Sequence, residues 1–137
     1  MKISNILASF NDGIDKTDFN PYIGDTNYDK ASYPMAQLFP ENSTYQSDQE
    51  YQDTYTIFFV FEKGNVKSNN RRTSEYLDNI SIVEDAIDTI QTEVEKNSAV
   101  TGWKVDNIDF LVAENSENLL DVIRVDWAVT KFIDLYE

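Results

Sequence analysis

The segment Thr54–Phe61 is the most constraining feature of the sequence, because the strand it predicts is apolar on both faces. Every residue in it is either aromatic or β-branched. Side chains alternate across a strand, so Ile57 and Phe59 fall on one face. Phe58 and Val60 fall on the other. A strand of this kind needs cover on at least part of both faces, so we expect the chain to build a sheet around it.

A long amphipathic helix is predicted between Tyr76 and Val94. Apolar residues step by four, three, four, three and four positions along this stretch, which is the spacing of one helix face. A shorter helix is predicted for Ile3–Ile14, where apolar residues also recur at helical spacing. The opposite face of the long helix is acidic, which is typical of a solvent-exposed surface.

The remaining strands complete the predicted fold. Tyr33–Pro40 is a short extended segment with prolines near its ends, and Ile108–Val112 and Ile123–Ile133 form a hairpin around a polar turn. Thr17–Ser32 has no sustained period and predicts a loop. The expected order is α-β-β-α-β-β. This is an α+β fold with a four-stranded antiparallel sheet packed on one long helix and a short N-terminal helix.

One domain over residues 1–137 is expected, since the chain has the length of a single core. Glu41–Asp53 is polar and has no apolar face, so we expect it to project as a flexible hairpin or loop. We interpret this projecting polar loop as an interaction arm. The candidate interface residues come from this segment and from two consecutive arginines just before the long helix: Tyr45, Gln46, Asp48, Gln49, Glu50, Arg71 and Arg72.

Charge and missing residue types exclude several classes of function. The chain has 25 acidic and 11 basic residues, a formal net charge of -14, and neither His nor Cys. Such a surface repels phosphate backbones, and thiolate zinc sites, disulfides and histidine-based catalysis are excluded. The four glycines lie far apart, so no phosphate loop is present. We expect no enzyme, no cofactor and no metal site.

Association with a membrane is not expected either. No run of about 18 apolar residues occurs anywhere in the sequence. The N-terminal apolar run is too short and too polar for a signal peptide. We therefore expect a soluble, unprocessed protein made and used inside a cell or a particle.

The succession of elements resembles a known family. An N-terminal helix is followed by Tyr33–Phe39, a polar excursion, the Tyr55–Phe61 strand, the Leu77–Val94 helix and a hairpin that ends with Val125–Thr130. This order is similar to that of the tail terminator or tail-completion proteins of tailed bacteriophages, the small subunits of the head-tail joint. The likeness spans most of the chain, and a related connector or neck-ring subunit fits equally. The loop Thr17–Ser32 and the acidity both exceed what is usual in the family.

The resemblance implies a structural virion protein and no enzymatic activity. It implies a homo-oligomeric ring, a hexamer or alternatively a dodecamer, that is assembled in the host cytoplasm and located at the head-tail junction of the virion. Its neighbours would be portal or connector proteins and tail proteins, and duplex DNA would pass through it without specific binding. A negative lining suits that passage. The channel-lining candidates are Glu84, Asp85, Asp88, Glu114 and Glu117.

An acidic DNA mimic that inhibits a nuclease or a repressor is the alternative from a different class. Its carboxylates would have to imitate phosphates on one continuous surface. The sequence spreads its acids instead, with ten acids and five bases in residues 1–70 and fifteen acids and six bases in residues 71–137. This distribution favours the ring subunit.

Overall fold

Two helices and a five-stranded sheet make up the protein, and the computed structural model describes residues 3–47, 49–65 and 73–132. The order of elements is α-β-β-β-α-β-β. Their bounds are α1 (Ile3–Asp15), β1 (Asn20–Ile23), β2 (Met35–Ser47), β3 (Glu50–Asn65), α2 (Thr73–Glu95), β4 (Val100–Glu114) and β5 (Asn118–Phe132).

The sheet has the strand order β1-β2-β3-β5-β4. The α+β class and the central position of the Thr54–Phe61 segment are confirmed, because β3 pairs with both β2 and β5. The predicted four-stranded, wholly antiparallel sheet is wrong. A fifth strand, β1, lies within the predicted loop Thr17–Ser32 and pairs in parallel with β2. β1 has four residues and includes Pro21, so it carries no alternation signal. Besides its backbone pairing, the Asn20 side-chain amide donates to the carbonyl oxygens of Ser32 and Pro34.

The main core lies on one face of the sheet, where both helices pack. Ile87 and Ile90 of α2 and Phe10 of α1 belong to one cluster with inward-facing side chains of β3 and β5. The predicted orientation of the long helix is therefore confirmed. Seven residues of the predicted long helix and of two predicted strands lie in or against this cluster, with Ile80 partly buried and the rest buried: Phe59, Ile80, Val83, Ile87, Ile90, Val125 and Trp127.

The opposite face of the sheet is covered only in part. Met35, Val60, Leu120 and Val122 are buried there, and Tyr28 is among the partly buried side chains of the 24–34 loop that pack on them. This confirms that the Thr54–Phe61 strand is covered on part of its second face. The Tyr33-Pro34 peptide bond in this loop is cis.

Several strands are longer than the periodicity indicates. The segment 41–53, expected as a hairpin or loop, consists of the paired ends of β2 and β3. β3 is paired on its other side as well, since Glu50 lies opposite Phe132 of β5. β4 begins at Val100, eight positions before the predicted strand, and its polar first half hides the strand pattern. Backbone pairing with a neighbour extends these strands where side-chain alternation does not mark them.

The two helices touch closely at Gly13. A β-carbon at Gly13 would lie 2.8 Å from the Cα of Ile90, which is closer than real β-carbons come. The same contact is flanked by Glu93, whose carboxylate accepts hydrogen bonds from Lys16 and Lys96. These bonds lower the pKa of Glu93 from its ordinary value. Because a side chain at position 13 would collide with the backbone of α2, glycine is required there by space and not by backbone conformation.

Truncating Ile87 tests how α2 faces the sheet. Ile87→Ala is expected to reduce the free energy of unfolding by about 2 kcal/mol, the lower end of the usual range, because the side chain is 9% exposed beside an open groove. Urea denaturation measures the change. Ile82→Ala, on the exposed side of the same helix, is the matched control and should change stability by less than about 0.5 kcal/mol. Equal costs at the two positions would contradict this packing.

Candidate interaction surfaces

The segment 41–53, which we call the arm, is the hairpin made by the end of β2 and the start of β3. All side chains from Glu41 to Ser47 are exposed, and a bulge between Pro40 and Asn42 marks where the arm begins. β1 pairs only with Met35–Leu38. Among the described residues, the outer edge of the arm therefore has no neighbouring strand. An open strand edge is a ready site for pairing with another chain.

An aromatic pair stands near the tip of the arm. The rings of Tyr45 and Tyr51 lie opposite each other with centroids 5.6 Å apart and planes at 69°. Tyr45 remains exposed, so one face of this pair is available to a partner. Gln49 has a positive φ of 62° in the turn. The arm thus presents an aromatic group on a short strand pair, beside a register shift between Tyr45 and Ser47.

The structure brings some of the predicted interface residues together. Four of them lie close to one another at the end of the arm: Tyr45, Gln46, Gln49 and Glu50. Asp48, Arg71 and Arg72 lie outside the described residues, so their predicted roles stay predictions. The arm is continuous with the core, because the first part of β3, from Glu50 to Asp53, is paired with β5.

A buried ion pair lies at the base of the arm. The sequence pattern did not predict it, because Asp53 was expected to be exposed to solvent. The Lys131 ammonium lies 2.8 Å from Asp53 Oδ2, with side-chain exposures of 3% and 1%. The Tyr55 hydroxyl donates to the same oxygen at 2.9 Å. Burial, followed by the nearby Asp53 charge, raises the pKa of the Tyr55 phenol, so it remains a donor. The burial of Asp53 could have been found from its spacing, because Asp53, Tyr55 and Ile57 are alternate residues and share one face of the strand.

An apolar groove lies between α2 and β4 on the helix-covered side of the sheet. Its volume is about 240 Å³. At the end of α2 and the start of β4, the Trp103 indole N–H donates to Glu95 Oε1 at 2.6 Å. At the start of α2, the rings of Tyr76 and Phe110 have centroids 6.5 Å apart. The groove is lined by Ile80, Val83, Glu84, Ile87, Ile108, Phe110 and Ile123.

The predicted channel-lining residues fall into two separate groups. Glu84, Asp85 and Asp88 are exposed on α2, which packs on one face of the sheet. Glu114 and Glu117 are exposed at the β4–β5 turn. This turn is bonded to the loop on the opposite face, because the backbone N–H and hydroxyl of Ser116 donate to Asp29. These bonds lower the pKa of Asp29. A single chain does not bring the two groups together.

Few features of the described residues suggest chemistry on a small molecule. A polar cleft of about 560 Å³ lies between the 24–34 loop and the β4–β5 turn. Two of the three carboxylates that line it are engaged in local hydrogen bonds, Asp29 with Ser116 and Glu62 with Asn118. Over residues 3–47, 49–65 and 73–132, no three His, Cys, Asp or Glu residues are grouped to hold a metal ion. None of the helices in these ranges has the length and apolar character needed to cross a membrane.

Comparison of the sequence with protein-family models finds no match, and comparison with curated proteins finds none either. Function is therefore inferred from the fold and from the arm, the groove and the distribution of charge.

Proposed function

We propose that the chain is a structural subunit of the neck of a tailed phage, where it forms a ring that terminates or joins the tail and lines the DNA channel. The observation that carries the proposal is the arm, a paired extension of the sheet with an open outer edge and an exposed Tyr45. On its outer strand, all side chains from Glu41 to Ser47 are exposed. A segment ordered in this way is suited to contacts between chains.

The position of the arm favours association into a ring. The arm lies at the β1–β2 side of the sheet, while β4 forms the opposite edge. A contact made by the arm with a different patch on a neighbouring copy is heterologous. Heterologous contacts form closed rings when the rotation between subunits allows closure. The resemblance to tail terminator proteins leads to the same assembly, with a hexamer as the expected size.

The negative charge suits passage of DNA through such a ring. The net charge of -14 includes seven acidic residues and no basic residue in α2. Carboxylates on the inner surface repel DNA phosphates over about one Debye length, roughly 8–10 Å at physiological salt. Either Glu84, Asp85 and Asp88 or Glu114 and Glu117 would face the lumen, depending on how neighbouring subunits pack.

Shortening the arm tests this role. Replacing Tyr45–Tyr51 by Asn-Gly leaves Thr44 opposite Gln52, which is their native register, and keeps the base of the arm. The free energy of unfolding should change by only about 1 kcal/mol, because none of the removed side chains that the structure describes is buried. Self-association should be abolished. Size-exclusion chromatography with light scattering, at concentrations up to the millimolar range, measures the molar mass of the wild type and of the variant.

The matched control is Ile23→Ser, which removes another exposed apolar side chain from the same side of the sheet and should assemble normally. A wild-type chain that remains monomeric at every concentration would contradict the ring. A monomer that instead binds a basic nuclease or repressor in a fixed ratio is the result expected for a DNA mimic.

A further inference from the structure

The second half of β4 is an unprotected strand edge. β4 pairs with β5 and with no other described strand. Its register shifts fall between Val100 and Gly102 and between Val105 and Asn107, so the bulges that discourage edge pairing are confined to its first half. From Ile108 onward the pairing with β5 is regular. The segment Ile108–Ala113, which we call the β4 edge, contains one charged residue.

Exposed apolar side chains accompany this open backbone. Phe110 and Val112 are 52% and 66% exposed, and they fall on the side of the strand that faces α2. Phe110 and Ile108 also form one wall of the groove described above. A regular edge next to an apolar groove matches the requirements of strand addition, in which the backbone pairs with the edge and alternate side chains enter pockets.

The surroundings of the groove are acidic. Glu84 lines it, and Glu114 follows Phe110 and Val112 at alternate positions, which places it on the same side of β4. α2 has no basic residue. A second copy of this acidic chain is therefore a poor occupant, whereas Lys or Arg side chains flanking an apolar stretch would meet opposite charge.

We propose that the β4 edge and the groove bind an extended segment of a partner protein. The segment adds a sixth strand beside β4 and directs apolar side chains toward Ile80 and Phe110. Lys or Arg residues flank the apolar stretch and interact with Glu84 and Glu114. This site is distinct from the arm. The proposal does not depend on ring formation, because one chain presents the whole site.

The probe is a synthetic peptide with the sequence Lys-Thr-Val-Thr-Val-Thr-Val-Thr-Lys, labelled with fluorescein and capped at its C-terminus. Its Val and terminal Lys residues share one side of a strand. Fluorescence polarisation with purified protein should show saturable binding. A peptide with Glu in place of both Lys residues should bind at least about tenfold more weakly at low salt, and added salt should reduce this difference.

Variants of the protein locate the bound peptide. Phe110→Ala should weaken binding at least about tenfold, because it removes an aromatic side chain from the groove wall. Phe132→Ala is the matched control, since Phe132 is also exposed but lies outside the groove, and it should bind normally. Unfolding midpoints of both variants should stay near that of the wild type, because both side chains are exposed.

Backbone methylation distinguishes strand addition from other modes of binding. In an added strand, alternate amides point to β4. Of two probe peptides, N-methylated at odd or at even positions, one should lose at least about tenfold in affinity and the other should bind as before. The proposal is overturned if the probe fails to bind at about 1 mM, if Phe110→Ala has no effect, or if the two methylated peptides behave alike. Self-association lost in Phe110→Ala, without peptide binding, would overturn it in favour of a second copy.

Discussion

Lys131→Met is expected to lower the free energy of unfolding by about 3–5 kcal/mol, because it leaves the Asp53 carboxylate buried without a counter-charge. The two side chains are almost fully buried and their charged atoms lie 2.8 Å apart. Among the residues that the structure describes, Asp53 Oδ1 has no hydrogen-bond partner, so no group at that oxygen offsets the loss of the Lys131 ammonium. A loss of this size is a large part of the stability of a typical domain. Urea denaturation followed by circular dichroism measures it.

Two comparisons make this prediction specific. Lys104→Met breaks an exposed ion pair with Asp106, at 3.3 Å and with Lys104 67% exposed, and should cost less than about 1 kcal/mol. Asp53→Leu combined with Lys131→Met removes both buried charges and should be more stable than Lys131→Met alone. If Lys131→Met costs no more than Lys104→Met, Asp53 does not need Lys131 as its partner.

Phe10→Ala should also cost about 3–5 kcal/mol, through lost apolar burial and the cavity left behind. Phe10 is fully buried and joins α1 to the sheet. Its ring centroid lies 4.8 Å from that of Tyr55 and 5.5 Å from that of Trp127, the latter at 81°. Edge-to-face contacts of this kind add to the gain from burial. Calorimetry or urea denaturation of the variant measures the change in the free energy of unfolding.

Phe10→Leu is the conservative comparison and should cost clearly less, because it keeps most of the buried volume. Leu77→Ala, on the exposed side of α2, should change stability by less than about 0.5 kcal/mol. A cost for Phe10→Ala close to that of Leu77→Ala would show that α1 contributes little to the core.

The groove was not predictable from the residues that line it. Ile80, Ile87 and Ile108 are apolar residues at regular helix or strand spacing, and such residues are most often buried. They line an open groove because the first part of α2 leaves β4 uncovered, whereas Glu95 and Trp103 are joined. The distance between a helix and an edge strand depends on how both pack on the rest of the sheet, and local sequence carries no record of it.

The order of the main elements follows from the sequence by itself. Periodicity identifies α2, α1 and the central part of β3, because a side chain at each position must fall either toward the core or toward water. The buried faces of α2 and β3 are determined in the same way. The absence of His and Cys, and the excess of acids, likewise exclude several chemistries without reference to the fold.

Only the tertiary structure decided the strand count, the ends of the strands and the burial of Asp53. β1 exists because the backbone of β2 offers a partner to Asn20–Ile23, and backbone pairing leaves no side-chain pattern. Asp53 can be buried because Lys131, near the end of the neighbouring strand β5, supplies its counter-charge. Interactions between residues far apart in the chain have no local signature, so they become apparent only when the sheet brings the two residues together.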